Sequence, residues 1–404
     1  MTSHLHFVGR DFVGFRNALV RQAQAFEEQL EVDETWLDTE PLYERVMGGD
    51  AGDLALVLTD WLPRLVKDAR IVPLNRWLHE NPPPGWPDAW SPSMRLLQET
   101  VDGNVYGLPY HDGPMMFLYR GDLFDEAAER KSFRETYGYP LRPARTWNEF
   151  RDIARHFTRP ADGIWGTVLA GYPDGHNNVY DFLLQLWTRG GKLLGPGAEP
   201  IFCSSEGLAA LSFLRDLWDV DKVIDPEAHG WDSVASGEQF AAGRAAMMVN
   251  WCGFAALSAL PGSPTAGKVR CADVPRYYGP GGRQVSLNSY WVTAIPVSSE
   301  DPQLAYRFMR HLASPEMDRI TSEEGGTGTR LSTWRDRDVQ ALAPYYEVIE
   351  AVHEHVLSPP QIVEYPAINL ILSRMVDGVI TSRASPAHAL NEAAEHVRAI
   401  DFDA

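Results

Sequence analysis

Three consecutive polar residues, Tyr110-His111-Asp112, stand between two strand-like runs, Val105 to Tyr110 and Met115 to Tyr119, and directly before Gly113-Pro114. A phenol, an imidazole and a carboxylate in sequence can donate, accept and exchange protons. Other groups of useful type also follow apolar runs: Asp60-Trp61 after Asp53 to Leu58, Tyr172 after Leu169-Ala170-Gly171, Asn250-Trp251 after Ala245 to Val249, and Tyr290-Trp291 after Ser286-Leu287-Asn288.

Catalysis is the first chemistry to test. The chain holds 12 histidines and 55 carboxylates, which give many accidental pairings but no strong spacing. There is no GxSxG, no GxxxxGKS and no HExxH; Gly279-Pro280-Gly281-Gly282 is a turn and not a phosphate cradle. His353-Glu354-His355 reads as a solvated helix face, because helical metal ligands need a spacing of three or four. Glu323-Glu324 are adjacent and rarely converge as acid and base. Neither a catalytic residue, a metal nor a cofactor is expected.

Binding is the better-supplied chemistry. The 13 tryptophans and 15 tyrosines fall repeatedly at strand ends or turns. In open α/β sheets, ligands collect beyond the carboxyl ends of strands. An aromatic ring there, beside Asp60, Asp112 or Asn250, offers a flat apolar face next to hydrogen-bonding groups. That mixture suits a polyol or a sugar. Any one such tryptophan reads first as core packing; several from both halves of the chain carry more weight.

The elements that must position these residues alternate in type. Leu5 to Val8 reads as a strand, and Phe12, Phe15, Leu19, Ala23 and Phe26 recur on one helical face. Leu30 to Leu37 is a strand, Pro41 to Met47 a helix, and Asp53 to Leu58 a buried parallel strand. Residues 73 to 92 contain six prolines and three tryptophans, which predicts an ordered surface loop. Thr146-Trp147-Asn148-Glu149 fits a capping box that opens a helix to about His156. Helices follow at Asn177 to Arg189, Ser205 to Val220, Pro302 to Leu312, Pro315 to Ser322, Ile368 to Ile380 and Pro386 to Val397, with a strand-rich piece from Val285 to Pro296. Alternation in both halves predicts α/β layers.

At 404 residues, two domains are the natural expectation. A composition of 44% hydrophobic and 23% charged residues is that of a globular protein, and no apolar run approaches a membrane span. The formal charge of −19 opposes nucleic acid and anionic membrane surfaces. Cys203, Cys252 and Cys271 are too few for a disulfide framework and allow at most one pair. MTSHLHFVGRDF lacks a charged region followed by an apolar core, so the protein is expected either to be cytoplasmic or to start after a removed signal.

Several segments, in this order, resemble the extracytoplasmic solute-binding proteins of ABC transporters, the large carbohydrate-binding family (family 1) that includes maltose-binding protein. They are Asp53 to Leu58 followed by Asp60-Trp61, GNVYGLPYHDGPMMFLYRGDLF (residues 103–124), RTWNEFRDIA (145–154), EQFAAGRAAMMVNWCG (238–253), DPQLAYRFMRHLASPE (301–316) and GTGTRLST (326–333). Thr329 stands at or beside the position usual for a proline in the last. Asn288-Ser289-Tyr290-Trp291 replaces a frequent Gly-Gly pair, which implies a bulkier wall and a small ligand.

The resemblance implies the α/β, two-lobed periplasmic-binding-protein type II fold, with a hinge between lobes. One lobe would hold 1–110 plus 285–330, the other 111–284 plus 331–404. It further implies a monomeric, periplasmic or otherwise extracytoplasmic, non-enzymatic protein that captures a small carbohydrate-like solute in the cleft and passes it to permease subunits, without membrane insertion. Carried over position by position, the ligand contacts would be Arg10, Asp11, Asp60, Trp61, His111, Asp112, Tyr172, Asn250, Trp251, Tyr290, Trp291 and Arg330. Were Arg10 and Arg330 both to face the ligand, their guanidinium forks would suit an anionic sugar derivative. The alternatives are a sugar-modifying or hydrolytic enzyme using the same cleft, and a ligand-sensing module.

Overall fold

In a computed structural model, residues 2–96, 102–260, 262–381 and 384–402 are described; Val101 and the expected outer bounds, residues 1 and 404, lie outside them. The chain divides into two compact units, Met1–Pro114 with Asn288–Tyr365, and Met115–Leu287 with Pro366–Ala404. The segment 331–365, expected with the second lobe, belongs to the first unit. Asp318 and the buried Trp334, Tyr345 and Tyr346 tie it there through hydrogen bonds.

The first unit is built on a five-stranded mixed sheet in the order Leu30–Leu37, Ser3–Arg10, Leu54–Leu58, Trp291–Ala294, Leu108–His111. The first three strands are parallel, and Trp291–Ala294 runs antiparallel to both its neighbours. Leu54–Leu58 is buried throughout, as its unbroken apolar run requires when both faces are covered. The helix Val13–Gln24 begins where the periodic face of Phe15 and Leu19 begins.

The second unit carries a four-stranded sheet in the order Trp165–Val168, Ala245–Trp251, Met115–Arg120, Val269–Ala272. Trp165–Val168 is parallel to Ala245–Trp251, whereas Met115–Arg120 is antiparallel to both its neighbours. Gly166 lets the helix Trp147–Phe157 lie close against the sheet, since a Cβ there would sit 2.0 Å from the Ala154 carbonyl oxygen. That helix has the expected Thr146 cap, Oγ1 accepting from the Glu149 amide at 3.1 Å. The Glu149 carboxylate reaches past Thr146, accepting from the Arg145 amide at 2.8 Å.

Two local expectations change. Residues 73–92 include a short helix, Asn75–Glu80, and Trp90 is fully buried, so the proline-rich stretch partly lines the core. His353 is buried rather than solvated: its ring stacks on Trp334 at 4.7 Å and sits 2.7 Å from Asp112.

Candidate functional site

In the first unit the end of the fully buried strand Leu54–Leu58 delivers a single tight turn, Thr59–Trp61. Trp291 is in register with Leu58 on one side and His111 on the other. The result is an aromatic group in which Trp61 meets Trp291 edge-on at 5.7 Å and Tyr43 at 5.2 Å. Beside it, the Asp60 carboxylate accepts from the Ser289 hydroxyl at 2.7 Å. Trp291 and Tyr43 are half-buried, while Trp61 keeps 8% exposure. The sequence marks Ser289 only as part of the bulkier Asn288–Trp291 wall, and Tyr43, inside the helix Thr39–Gly48, is not singled out at all.

The triplet 110–112 is occupied within its own unit. The Tyr110 hydroxyl donates to Gln22 Oε1 at 3.1 Å. His111 Nδ1 accepts from the Thr327 amide at 2.8 Å, and the Asp112 amide donates to the Thr327 carbonyl at 3.0 Å. Asp112 is 0% exposed, with Oδ1 accepting from Asn288 Nδ2 at 2.8 Å and Oδ2 held by His353 Nε2 at 2.7 Å. His353 Nδ1 lies 2.8 Å from the Ser93 hydroxyl, itself 2.8 Å from that of Ser91.

Desolvation of the half-buried His111 imidazole pulls it down to about 4, in keeping with an Nδ1 that accepts and a proton that stays on Nε2. An unfolded histidine titrates near 6.5. The folded protein therefore has this increment of stability in full above about pH 6.5 and loses it as pH falls towards about 4. His111→Gln, which keeps an acceptor without the titration, is expected to flatten the acid limb of urea stability between about pH 7 and about pH 4.5. A limb identical to that of the parent protein would refute the assignment.

Arg10 and Arg330 are engaged elsewhere. Arg10 pairs with Asp38 at 2.7 Å, and Asp11 with Arg16 at 2.6 Å. Arg330, 4% exposed, donates through Nη1 to the Ala313 carbonyl and through Nη2 to the Pro84 carbonyl, at 2.7 and 2.6 Å, and lies over the Trp90 ring at 4.5 Å. The turn that carries it wraps Asp318, whose carboxylate accepts from the Thr329 and Arg330 amides and the Thr329 and Thr333 hydroxyls. Gly328 allows that wrap, because a Cβ would fall 2.6 Å from the Ser322 hydroxyl. Tyr290 is fully buried and donates to the Met94 carbonyl, so it thickens no wall.

In the second unit, Asn250 and Trp251 close the strand Ala245–Trp251 against Met116 and Met115. Trp251 Nε1 donates to Asn177 Oδ1 at 2.8 Å, and the Asn177 amide donates to Asn250 Oδ1 at 2.9 Å. Asn250 Nδ2 donates in turn to Ser236 at 3.1 Å. The indole meets Tyr180 edge-on at 5.4 Å and His176 at 5.6 Å, and remains half-buried. His176, Asn177 and Tyr180 form the first turn of the helix Asn177–Thr188 and its preceding residue. Sequence located that helix start but gave its residues no role. Tyr172 is 52% exposed, its amide donating to the Trp231 carbonyl.

Each unit thus joins a partly exposed indole to amide, hydroxyl or carboxylate groups already fixed by hydrogen bonds. Rigid aromatic faces with oriented polar atoms bind ligands having both an apolar face and hydroxyl groups. The family model for bacterial extracellular solute-binding proteins matches residues 14–319.

The chain belongs to this family.

As a member it is a solute-binding protein, of the two-lobed α/β type. It is 23% identical over 360 residues to a probable ABC transporter-binding protein of Deinococcus radiodurans, covering 86% of this chain and 80% of that one. With a mannitol-binding protein of Pseudomonas aeruginosa it shares 24% identity over 314 residues, 72% of this chain and 68% of the other. The fold matches maltose-bound MalE3 of T. maritima at a TM-score of 0.86 with 23% identity, covering 98% of this chain and 99% of that one. It matches a ribitol-bound solute-binding protein of Agrobacterium radiobacter at 0.85 with 22% identity, covering 98% of both. Among the described residues no helix is long and apolar enough to cross a membrane.

Proposed function

We propose that this protein captures a small neutral carbohydrate or polyol outside the cytoplasm and delivers it to permease subunits without altering it. The observation that carries this reading is the Trp251 group: a half-buried indole anchored through Nε1 to Asn177, beside Asn250. The ring supplies a stacking face, and the buried Asn177 and Asn250 fix its orientation through the hydrogen bonds they already make. Trp61, Trp291, Tyr43, Asp60 and Ser289 are proposed as a second contact group of the same chemistry. Asp112, Tyr290 and Arg330 are proposed as supports of the fold. The two compact units are taken as the two lobes, joined at Pro114–Met115, Leu287–Asn288 and Tyr365–Pro366.

Neutrality follows from the arginines. Arg10 is paired with Asp38, and both terminal nitrogens of Arg330 are given to carbonyl oxygens, so neither is poised for an anion. Relatives named for mannitol or solved with ribitol and maltose point to the same chemical class. A thermal-shift screen with mannitol, ribitol, maltose and sugar acids tests the reading, together with mass spectrometry of what copurifies. Stabilisation by a neutral member, with the compound recovered intact, is expected. Selective stabilisation by sugar acids, no response to any sugar or polyol, or release of a cleaved product would overturn it.

One observation favours a hydrolytic second reading: Asp112, His353 and Ser93 form a hydrogen-bonded chain in the order of a nucleophile triad. Against it, the His353 side chain is 1% exposed and Ser93 is also held by Ser91. Fluorophosphonate labelling of Ser93 separates the two, and no labelling is expected.

A further inference from the structure

The helix Asn177–Thr188 is buried at every position, yet Asn177, Asp181, Gln185 and the following Arg189 recur every fourth residue. That spacing sets four polar side chains along one face of a core helix. Its first member holds Trp251; its last, Arg189, donates from Nη1 to the Gln185 carbonyl and side-chain oxygen, with its guanidinium over Phe213 and Tyr277. Among the described residues the Asp181 carboxyl and the Gln185 amide nitrogen form no hydrogen bond, yet neither is sealed from a water-sized sphere. Both residues line a small pocket of about 10 Å³, room for the centre of one water molecule.

A buried carboxyl without a partner is costly, and a water needs at least two polar neighbours to remain in a cavity. Here the two neighbours are one helical turn apart. We propose that this cavity is a built site for a resident water molecule, which hydrogen-bonds to the Asp181 carboxyl and accepts from the Gln185 amide. It would complete a polar row running from the Trp251 group into the core of the second unit.

The facing elements offer no ion to replace it. The helices Trp147–Phe157 and Ser205–Asp219 and the strand Ala245–Trp251 present Trp147, Phe150, Phe213, Leu214, Leu217 and Val249, none of which titrates. Arg189, just past the end of the helix, gives its Nη1 to Gln185 and not to Asp181. Burial accordingly raises Asp181 well above the usual carboxylate range. A carboxyl held neutral when folded stabilises the protein most at low pH. That increment is lost as pH rises from the unfolded value, about 4, towards the raised folded value.

A high-resolution crystal structure of the full chain tests the site. Density for a water within hydrogen-bonding distance of both Asp181 and Gln185 is expected; a dry cavity, or a carboxyl turned out of it, overturns the proposal. Thermal unfolding across the acidic to neutral range supplies the second test. Asp181→Leu should remove the water, raise Tm at neutral pH by several degrees and lose the downward slope of stability with pH. Should Asp181→Leu fail to fold, the nearly isosteric Asp181→Asn should keep the water and still lose the slope. A slope identical to that of the parent protein overturns the proposal.

Discussion

Trp251→Ala is expected to lower affinity for the stabilising sugar or polyol by at least about tenfold, with only a small loss of thermal stability. Tenfold corresponds to about 1.4 kcal/mol, well within what one stacked ring supplies when an aromatic face is covered. The stability cost is small because Trp251 ends its strand half-buried; its Nε1 bond to Asn177 contributes about 1 kcal/mol net. Trp251→Phe, which keeps a flat face but not the donor, should fall between the two. Isothermal titration calorimetry measures both, and undiminished affinity in the alanine variant would remove Trp251 from the contact group.

Asp112→Ala is expected to do the reverse. It leaves the His353 Nε2 group and the Asn288 amide without their acceptor in the interior. Each buried donor left unpaired costs about 1–3 kcal/mol, so the two together cost about 2–6 kcal/mol. At roughly 2–4 °C per kcal/mol for a domain of this size, Tm should drop by about 10 °C. His353→Ala should cost nearly as much, and the double variant little more than either, because the two act on one network. Solute affinity of the folded fraction should be unchanged. A variant that unfolds normally but no longer binds would make Asp112 a ligand contact after all.

These two residues show what was legible in the chain. Both follow an apolar run, both are of binding type, and sequence gave them the same role. What separates them is their surroundings. Trp251 ends its strand beside Asn177, whereas Asp112 meets His353 from 241 residues away. Period and capping located the helices at Thr146, Asn177 and Pro302 because those signals are local. The strands Trp165–Val168 and Val269–Ala272 went unread, being short and with no clear alternation. Arg330 looked like an anion fork, since nothing local reveals that its partners are the carbonyls of Pro84 and Ala313. The Trp61–Trp291 contact was half legible: the residue types stood out, but their pairing depends on strand order.

That strand order also sets a timetable on the ribosome. Leu108–His111 has Trp291–Ala294 as its sheet neighbour, so the strand waits for about 180 more residues to be made, on the order of ten seconds or longer at usual elongation rates. All four strands of the second sheet lie between Met115 and Ala272 and emerge within that interval. The nascent chain thus completes its second sheet before its first. Meanwhile Leu54–Leu58, the most apolar strand of the first unit, presents an unpaired edge. The second unit as a whole still waits for Pro366–Ala404, the last segment to be made.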